Sequence, residues 1–164
     1  MNFWKVALML SFVITGCESG VEYSQYVSLS DGWNKDKPVT FSFEPTDTLS
    51  QRNIFIMLRN DQRYPYSNLF LITRMEMPDR QIIVDTLEYE MANAQGEWLG
   101  YGYSGVKESK LWYKEGVAFP VRGKYLFKIE QAMRKNGENE GINILDGITE
   151  VGIRIENDTK ETKK

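Results

Sequence analysis

Past residue 20 the chain reads as short apolar segments separated by turn-forming residues every eight to fifteen positions, the cadence of an antiparallel all-β domain. The clearest period of two sets Tyr125, Phe127, Ile129, Gln131 and Met133 against Leu126, Lys128, Glu130, Ala132 and Arg134. One of these faces is predicted to pack inward and the other to meet water. Residues 54–58 and 68–72 are nearly continuous apolar runs, as expected of central strands covered on both faces. Val151, Ile153 and Ile155 alternate with Gly152, Arg154 and Glu156, so the last strand also has one buried face.

The pattern predicts nine strands, at 22–29, 39–44, 53–60, 68–77, 81–91, 98–104, 110–113, 124–133 and 150–156. They suit a single antiparallel β-sandwich, jelly-roll-like or immunoglobulin-like, with no helix-length period beyond the first twenty residues. Residues 85–94 carry helical propensity as well as an alternating face and are assigned to strand. The Gln95-Gly96 turn would make that strand half of a hairpin with the Trp98 strand. Breakers at Asp31-Gly32, Lys37-Pro38, Glu44-Pro45, Tyr64-Pro65, Met77-Pro78-Asp79 and Asn136-Gly137 mark loops. Residues 136–147 read as a long mobile loop, and 157–164, with no apolar residue, as a flexible tail.

The first residues follow a different rule. Lys5 precedes an apolar run from Val6 to Ile14, and nine such residues rise only about 14 Å as a helix, half of a hydrocarbon core about 30 Å thick. This is the pattern of a cleaved signal helix. Gly16-Cys17 at its end resembles a lipobox, in which the Cys sulfur receives a diacylglyceryl group and the freed amine is acylated, with palmitate a typical chain. The expected organisation is a lipoprotein signal peptide at 1–16, a lipid-anchored tether at 17–20, the β-sandwich at 21–156 and the tail at 157–164. Two or three acyl chains anchor stably, since each buried methylene contributes about 0.8 kcal/mol and one chain alone is marginal.

Composition narrows the chemistry. Among 164 residues there are 20 Lys plus Arg, 23 Asp plus Glu, no His and one Cys. The acidic balance argues against a nucleic-acid partner, and removing residues 1–16 takes away only Lys5, so the mature charge is 19 minus 23, or −4. Anionic lipid would therefore not hold the protein by charge. Imidazole bases, imidazole zinc ligands, internal disulfides and thiolate clusters are all excluded, and no catalytic, metal or cofactor site is predicted. A carboxylate glycosidase would need Glu88 and Glu90, or Glu97, to converge in a cleft, and two glutamates two apart on a strand read more simply as a solvated edge. An enzyme is not expected.

Two stretches stand out as candidate binding surfaces. Residues 59–68 carry Arg59, Arg63, Tyr64 and Tyr66 at a strand connection, a combination enriched where proteins meet proteins, although Arg59 or Arg63 would serve equally as an internal brace to an acid such as Asp85. Residues 96–105 interleave glycines with Trp98, Tyr101 and Tyr103. Glycine beside aromatics permits a tightly bent sandwich corner, and it also permits rings laid flat to stack on sugars. The alternative function is thus a carbohydrate-binding lipoprotein using Trp98, Tyr101, Tyr103 or Trp112.

Several pieces in order resemble one family: Trp33, Lys37-Pro38-Val39, Phe41-Ser42-Phe43, Leu58-Arg59-Asn60, Tyr64-Pro65-Tyr66-Ser67-Asn68-Leu69, Asp85-Thr86-Leu87-Glu88-Tyr89, Gly96-Glu97-Trp98-Leu99-Gly100 and Val151-Gly152-Ile153-Arg154-Ile155-Glu156. Together they resemble the gliding motility lipoprotein GldH family of the Bacteroidetes. The resemblance implies a non-enzymatic envelope lipoprotein working with other Gld proteins in a machinery linked to type IX secretion. The implied location is the outer membrane, facing the periplasm. It implies no reaction and no ligand.

Overall fold

A computed structural model describes residues 20–158. The expected signal peptide, Cys17 and the last six residues of the expected tail lie outside the described residues. The fold is all-β, with ten strands among the described residues: β1 (Val21–Ser28), β2 (Trp33–Asn34), β3 (Val39–Phe43), β4 (Arg52–Asn60), β5 (Asn68–Glu76), β6 (Ile82–Glu90), β7 (Lys107–Val117), β8 (Tyr125–Gln131), β9 (Ile144–Leu145) and β10 (Ile148–Asn157). A first sheet has the order β1-β10-β4-β7 and a second the order β3-β8-β5-β6, with every pairing antiparallel. The short β2–β9 pair sits between them in sequence and closes one end.

The inner faces follow from the period of two. Val39, Phe41 and Phe43 on β3, Leu69, Leu71 and Met75 on β5, and Tyr125, Phe127 and Ile129 on β8 meet Ile54, Ile56 and Leu58 on β4 and Val151, Ile153 and Ile155 on β10. All of these are buried, and each such side chain contributes about 1.5–3 kcal/mol on leaving water. The predicted inward face of β8 holds throughout, including the polar Gln131. Its Nε2 donates to the Ile142 carbonyl at 2.6 Å and its Oε1 accepts from the Met133 amide at 3.0 Å, which ties β8 to the segment leading into β9.

Several expectations change. Residues 54–58 are buried on both faces in an interior strand, as predicted, but 68–72 alternate, with Phe70 and Ile72 turned to a half-exposed outer face. The strand expected at 110–113 runs from Lys107 to Val117, because cross-strand pairing with β4 carries its polar ends along. The strand expected at 98–104 is not one. Only isolated bridges form there, Ala92 with Trp98 and Tyr101 with Glu108. The supposed loop at 136–147 contains β9, and Asn157, assigned to the tail, pairs with Arg52 at the end of β10.

The sandwich has two distinct ends. At the entry end the chain joins the sheet, where the Gly20 carbonyl accepts the Asn157 amide at 2.8 Å, and the connections 44–51, 77–81 and 118–124 surround it. At the opposite end lie 29–38, 61–67, 91–106 and 132–147. The two sheets share this polarity: Tyr23 of β1 packs its ring 5.5 Å from that of Phe43 at the end of β3.

Candidate interaction surface

The candidate residues of 59–68 are dispersed by the fold. Arg59 points outward from β4 and is braced across the sheet, donating to Glu108 of β7 at 2.6 Å and to Glu150 of β10, with its guanidinium 4.8 Å over the Tyr26 ring. The hydrogen bond it donates to Glu108 raises its already high pKa further. Asp85, the acid considered as a brace, is instead bonded by Lys114 at 2.8 Å and Tyr113 at 2.9 Å. Burial pulls the Asp85 carboxyl up, but those two partners outweigh it and hold it below the usual carboxylate range.

Tyr64 is a core residue, 2% exposed, whose hydroxyl donates to the Asn68 carbonyl at 2.6 Å, and burial pushes that hydroxyl well above its ordinary pKa. It is therefore corrected from surface to core. Its ring braces Tyr66 in an edge-on contact at 5.8 Å and Trp98 at 6.0 Å. Tyr66 is half-buried and lines a hollow of about 490 Å³ against the segment that leads into β9. Arg63 is the exposed member, bonded to Asp61 at 2.7 Å, and that bond lowers the Asp61 carboxyl.

The aromatic loop divides differently. Trp98 is half-buried against the core, whereas Tyr101 is 87% exposed, Tyr103 95% and Trp112 55%. The glycines explain why. Gly102 has a φ of +153°, and a Cβ there would fall 2.3 Å from the Val106 carbonyl oxygen, so only glycine lets the loop fold flat over its own return. The glycine side faces the protein and the tyrosines are turned out, with Tyr101 and Glu108 exchanging backbone hydrogen bonds at 2.8 and 2.7 Å.

The loop overhangs the outer face of the first sheet. There Met57, Lys110, Arg154, Tyr101 and Tyr103 bound a depression of about 500 Å³. Phe55 and Met57 are buried even though they point away from the core. The Trp112 ring lies 4.4 Å from Phe55, and Lys110 Nζ sits 4.0 Å over the same ring while bonding Glu156 at 2.7 Å. Glu156 also accepts from Arg154; burial pulls its carboxyl up, and the two cations bring it below its ordinary value.

Lys110 and Arg154 were not singled out from the sequence. Their alternation marks them as outward, but only the pairing of Lys110 with Met57 and of Arg154 with Phe55 brings them over one apolar floor. The carboxylates of the hydrolase reading stand apart from this depression. Glu88 and Glu90 lie on the exposed face of edge strand β6, Glu88 accepting from Asn68 at 3.2 Å, and Glu97 accepts from Asn93 at 2.8 Å in the following turn. Among the described residues no group of three Asp, Glu, His or Cys is arranged to hold a metal, and no helix is long and apolar enough to cross a membrane.

The model of the GldH lipoprotein family matches residues 21–155. A gliding motility lipoprotein GldH homolog of Christiangramia forsetii is 49% identical over 144 residues, covering 88% of each chain. The gliding motility lipoprotein GldH of Flavobacterium johnsoniae is 42% identical over 151 residues, covering 92% of this chain and 94% of that one. The matched span takes in both sheets, the Arg59 brace and the aromatic loop, so the chain described above belongs to the GldH lipoprotein family.

Proposed function

We propose that the protein is a lipid-anchored envelope component of a gliding machinery linked to type IX secretion, held at the outer membrane on the periplasmic side through Cys17, and that it works by binding neighbouring envelope proteins rather than by catalysis. The observation that carries this reading is identity of 42–49% to two gliding motility lipoproteins across about nine-tenths of the chain. Confinement to a membrane plane raises the effective concentration of anchored subunits, so modest contacts suffice. The contact surface is the opposite end, where Tyr101, Tyr103 and Arg63 are exposed. Gly105 of the tyrosine loop comes close to Gln62 beside Arg63, which joins the two candidate stretches in space.

The test is crosslinking in intact cells. Envelope partners should crosslink to the native protein and be lost with Cys17→Ala, which should also move the protein out of the detergent phase. A combined Arg63→Ala, Tyr101→Ala and Tyr103→Ala variant should stay anchored and folded yet lose most of those crosslinks. Unchanged crosslinks in both variants would overturn the reading.

A second reading is favoured by the exposure of Tyr101, Tyr103 and Trp112 around the depression on the first sheet, namely stacking of sugar rings. Titration with envelope glycans, followed by tryptophan emission, separates the two. Saturable quenching lost in Trp112→Phe would support the sugar site.

A further inference from the structure

We infer that the entry end of the sandwich faces the lipid headgroups and that the surface bearing Tyr101, Tyr103 and Arg63 is turned away from the bilayer. The inference rests on the Cys17 anchor proposed above. From Cys17 to Gly20 there are three peptide steps, which span at most about 11 Å whatever their conformation. At Gly20 the chain is already held, by the bond from the Asn157 amide, and Val21 pairs with Glu156. β10, a strand of ten residues, runs the length of the first sheet, about 30 Å at roughly 3.3 Å per residue. A tether a third of that length brings only the entry end to the membrane.

What lies there suits a headgroup layer. Leu49 is 86% exposed at the tip of the 44–51 connection, and it lines one shallow depression with Arg122 of the 118–124 connection. Gly123 packs against Pro78, so the 77–81 turn, with exposed Arg80, belongs to the same surface. An exposed leucine at this depth enters the interfacial zone, and arginines beside it meet phosphate oxygens. The partner of this end is therefore the bilayer to which the protein is anchored. A protein partner at the other end must stand about 30 Å off that bilayer, or reach down to it.

The experiment uses the full lipidated chain, extracted in detergent and reconstituted into phosphatidylethanolamine and phosphatidylglycerol vesicles. Because the sequence has one Cys, blocked by its thioether once lipidated, a single new cysteine can carry a fluorophore. Leu49→Cys and Tyr103→Cys form the first pair, with Lys124→Cys and Glu138→Cys as a second pair at the same two ends. Each sample is floated on a gradient and then exposed to headgroup spin-labelled lipid. Given the separation of about 30 Å, labels at 49 and 124 should lose about half their emission or more and those at 103 and 138 almost none. Flotation with equal or reversed quenching in both pairs would overturn the orientation and leave the anchor standing. Failure to float would overturn the anchor, and the orientation with it.

Discussion

Arg52 and Glu22 meet inside the entry end of the sandwich: Arg52 has no exposed surface, and its guanidinium is clamped from β1 by the Glu22 carboxylate. Asp47 at 3.0 Å, the Ser50 carbonyl at 2.8 Å and the Thr46 hydroxyl at 3.3 Å also accept from it, with the Phe119 ring 5.8 Å away. The pair joins β1, β4 and the 44–51 connection at the point where the chain enters the sheet.

Removing Glu22 leaves a buried guanidinium short of its main partner, and breaking a buried pair on one side costs about 3–5 kcal/mol. Glu22→Ala should therefore lower the urea midpoint by a large fraction of a typical domain's stability. Asp47→Ala should lower it far less, since that carboxylate is half in water. Chemical denaturation of the two variants side by side checks the ranking; equal effects would mean that Glu22 is not the principal partner.

Acid should weaken the fold through the same groups. Burial pulls the Glu22 carboxyl up, but bonds from Arg52 and Thr46 outweigh it and leave it below its ordinary value of 4.5; Glu156, Asp85 and Asp61 are lowered too. The unfolded chain thus takes up protons that the native one refuses. The stabilisation is complete above the unfolded values and is lost as pH falls through the native ones. Melting temperature should be flat from about pH 8 to 6, where a chain without His has no side chain titrating at its ordinary value, and should fall steeply below about pH 5. Glu22→Gln should make that fall shallower. Thermal melts by circular dichroism across this range decide it.

A turn at the opposite end offers a steric test. Gly147 has a φ of +79°, and a Cβ there would lie 2.0 Å from the Tyr64 backbone nitrogen, while its carbonyl accepts the Asp61 amide at 2.8 Å. Gly96 has a nearly identical φ of +80° with nothing within 4 Å. Gly96→Ala should cost only the backbone penalty, about 1–2 kcal/mol. Gly147→Ala should cost several kcal/mol more, because backbone must move. Equal losses in a denaturant series would show that the 61–64 connection yields freely.

Much of this architecture was legible locally. The inward face of β8, from Tyr125 to Gln131, follows from a period of two and needs no neighbour to define it. The two-sided burial of 54–58 was likewise readable, but the similar run at 68–72 was not, because burial of an outer face depends on what covers it. Phe55 and Met57 gain Trp112, Lys110 and the tyrosine loop; Phe70 and Ile72 gain no comparable cover and stay half-exposed. The two-residue strands β2 and β9 had no pattern to announce them, since Trp33 and Leu145 meet across more than a hundred residues.

The candidate surfaces divide along the same line. Tyrosine and arginine in 59–68 suggested exposure by type, yet Tyr64 turns inward, because its hydroxyl finds the Asn68 carbonyl and its ring completes the core. Arg59 is held by acids from two other strands, Glu108 and Glu150, neither of which is near it in sequence. The glycines of 96–105 signalled a bend, and a bend is what they make, while the outward placement of Tyr101 and Tyr103 follows from the loop's return against β7.

By itself the sequence determined the all-β class, most strand positions, the absence of imidazole chemistry and the resemblance of Gly16-Cys17 to a lipobox, because each depends on residue type and near-neighbour spacing. Tertiary structure alone decided at which end of the sandwich Gly20 leads into the sheet, which tyrosines are exposed, and which charges are already paired. Those properties are set by strand pairing between segments far apart in the chain, and pairing across such distances is governed by the whole buried surface rather than by any local pattern of residues.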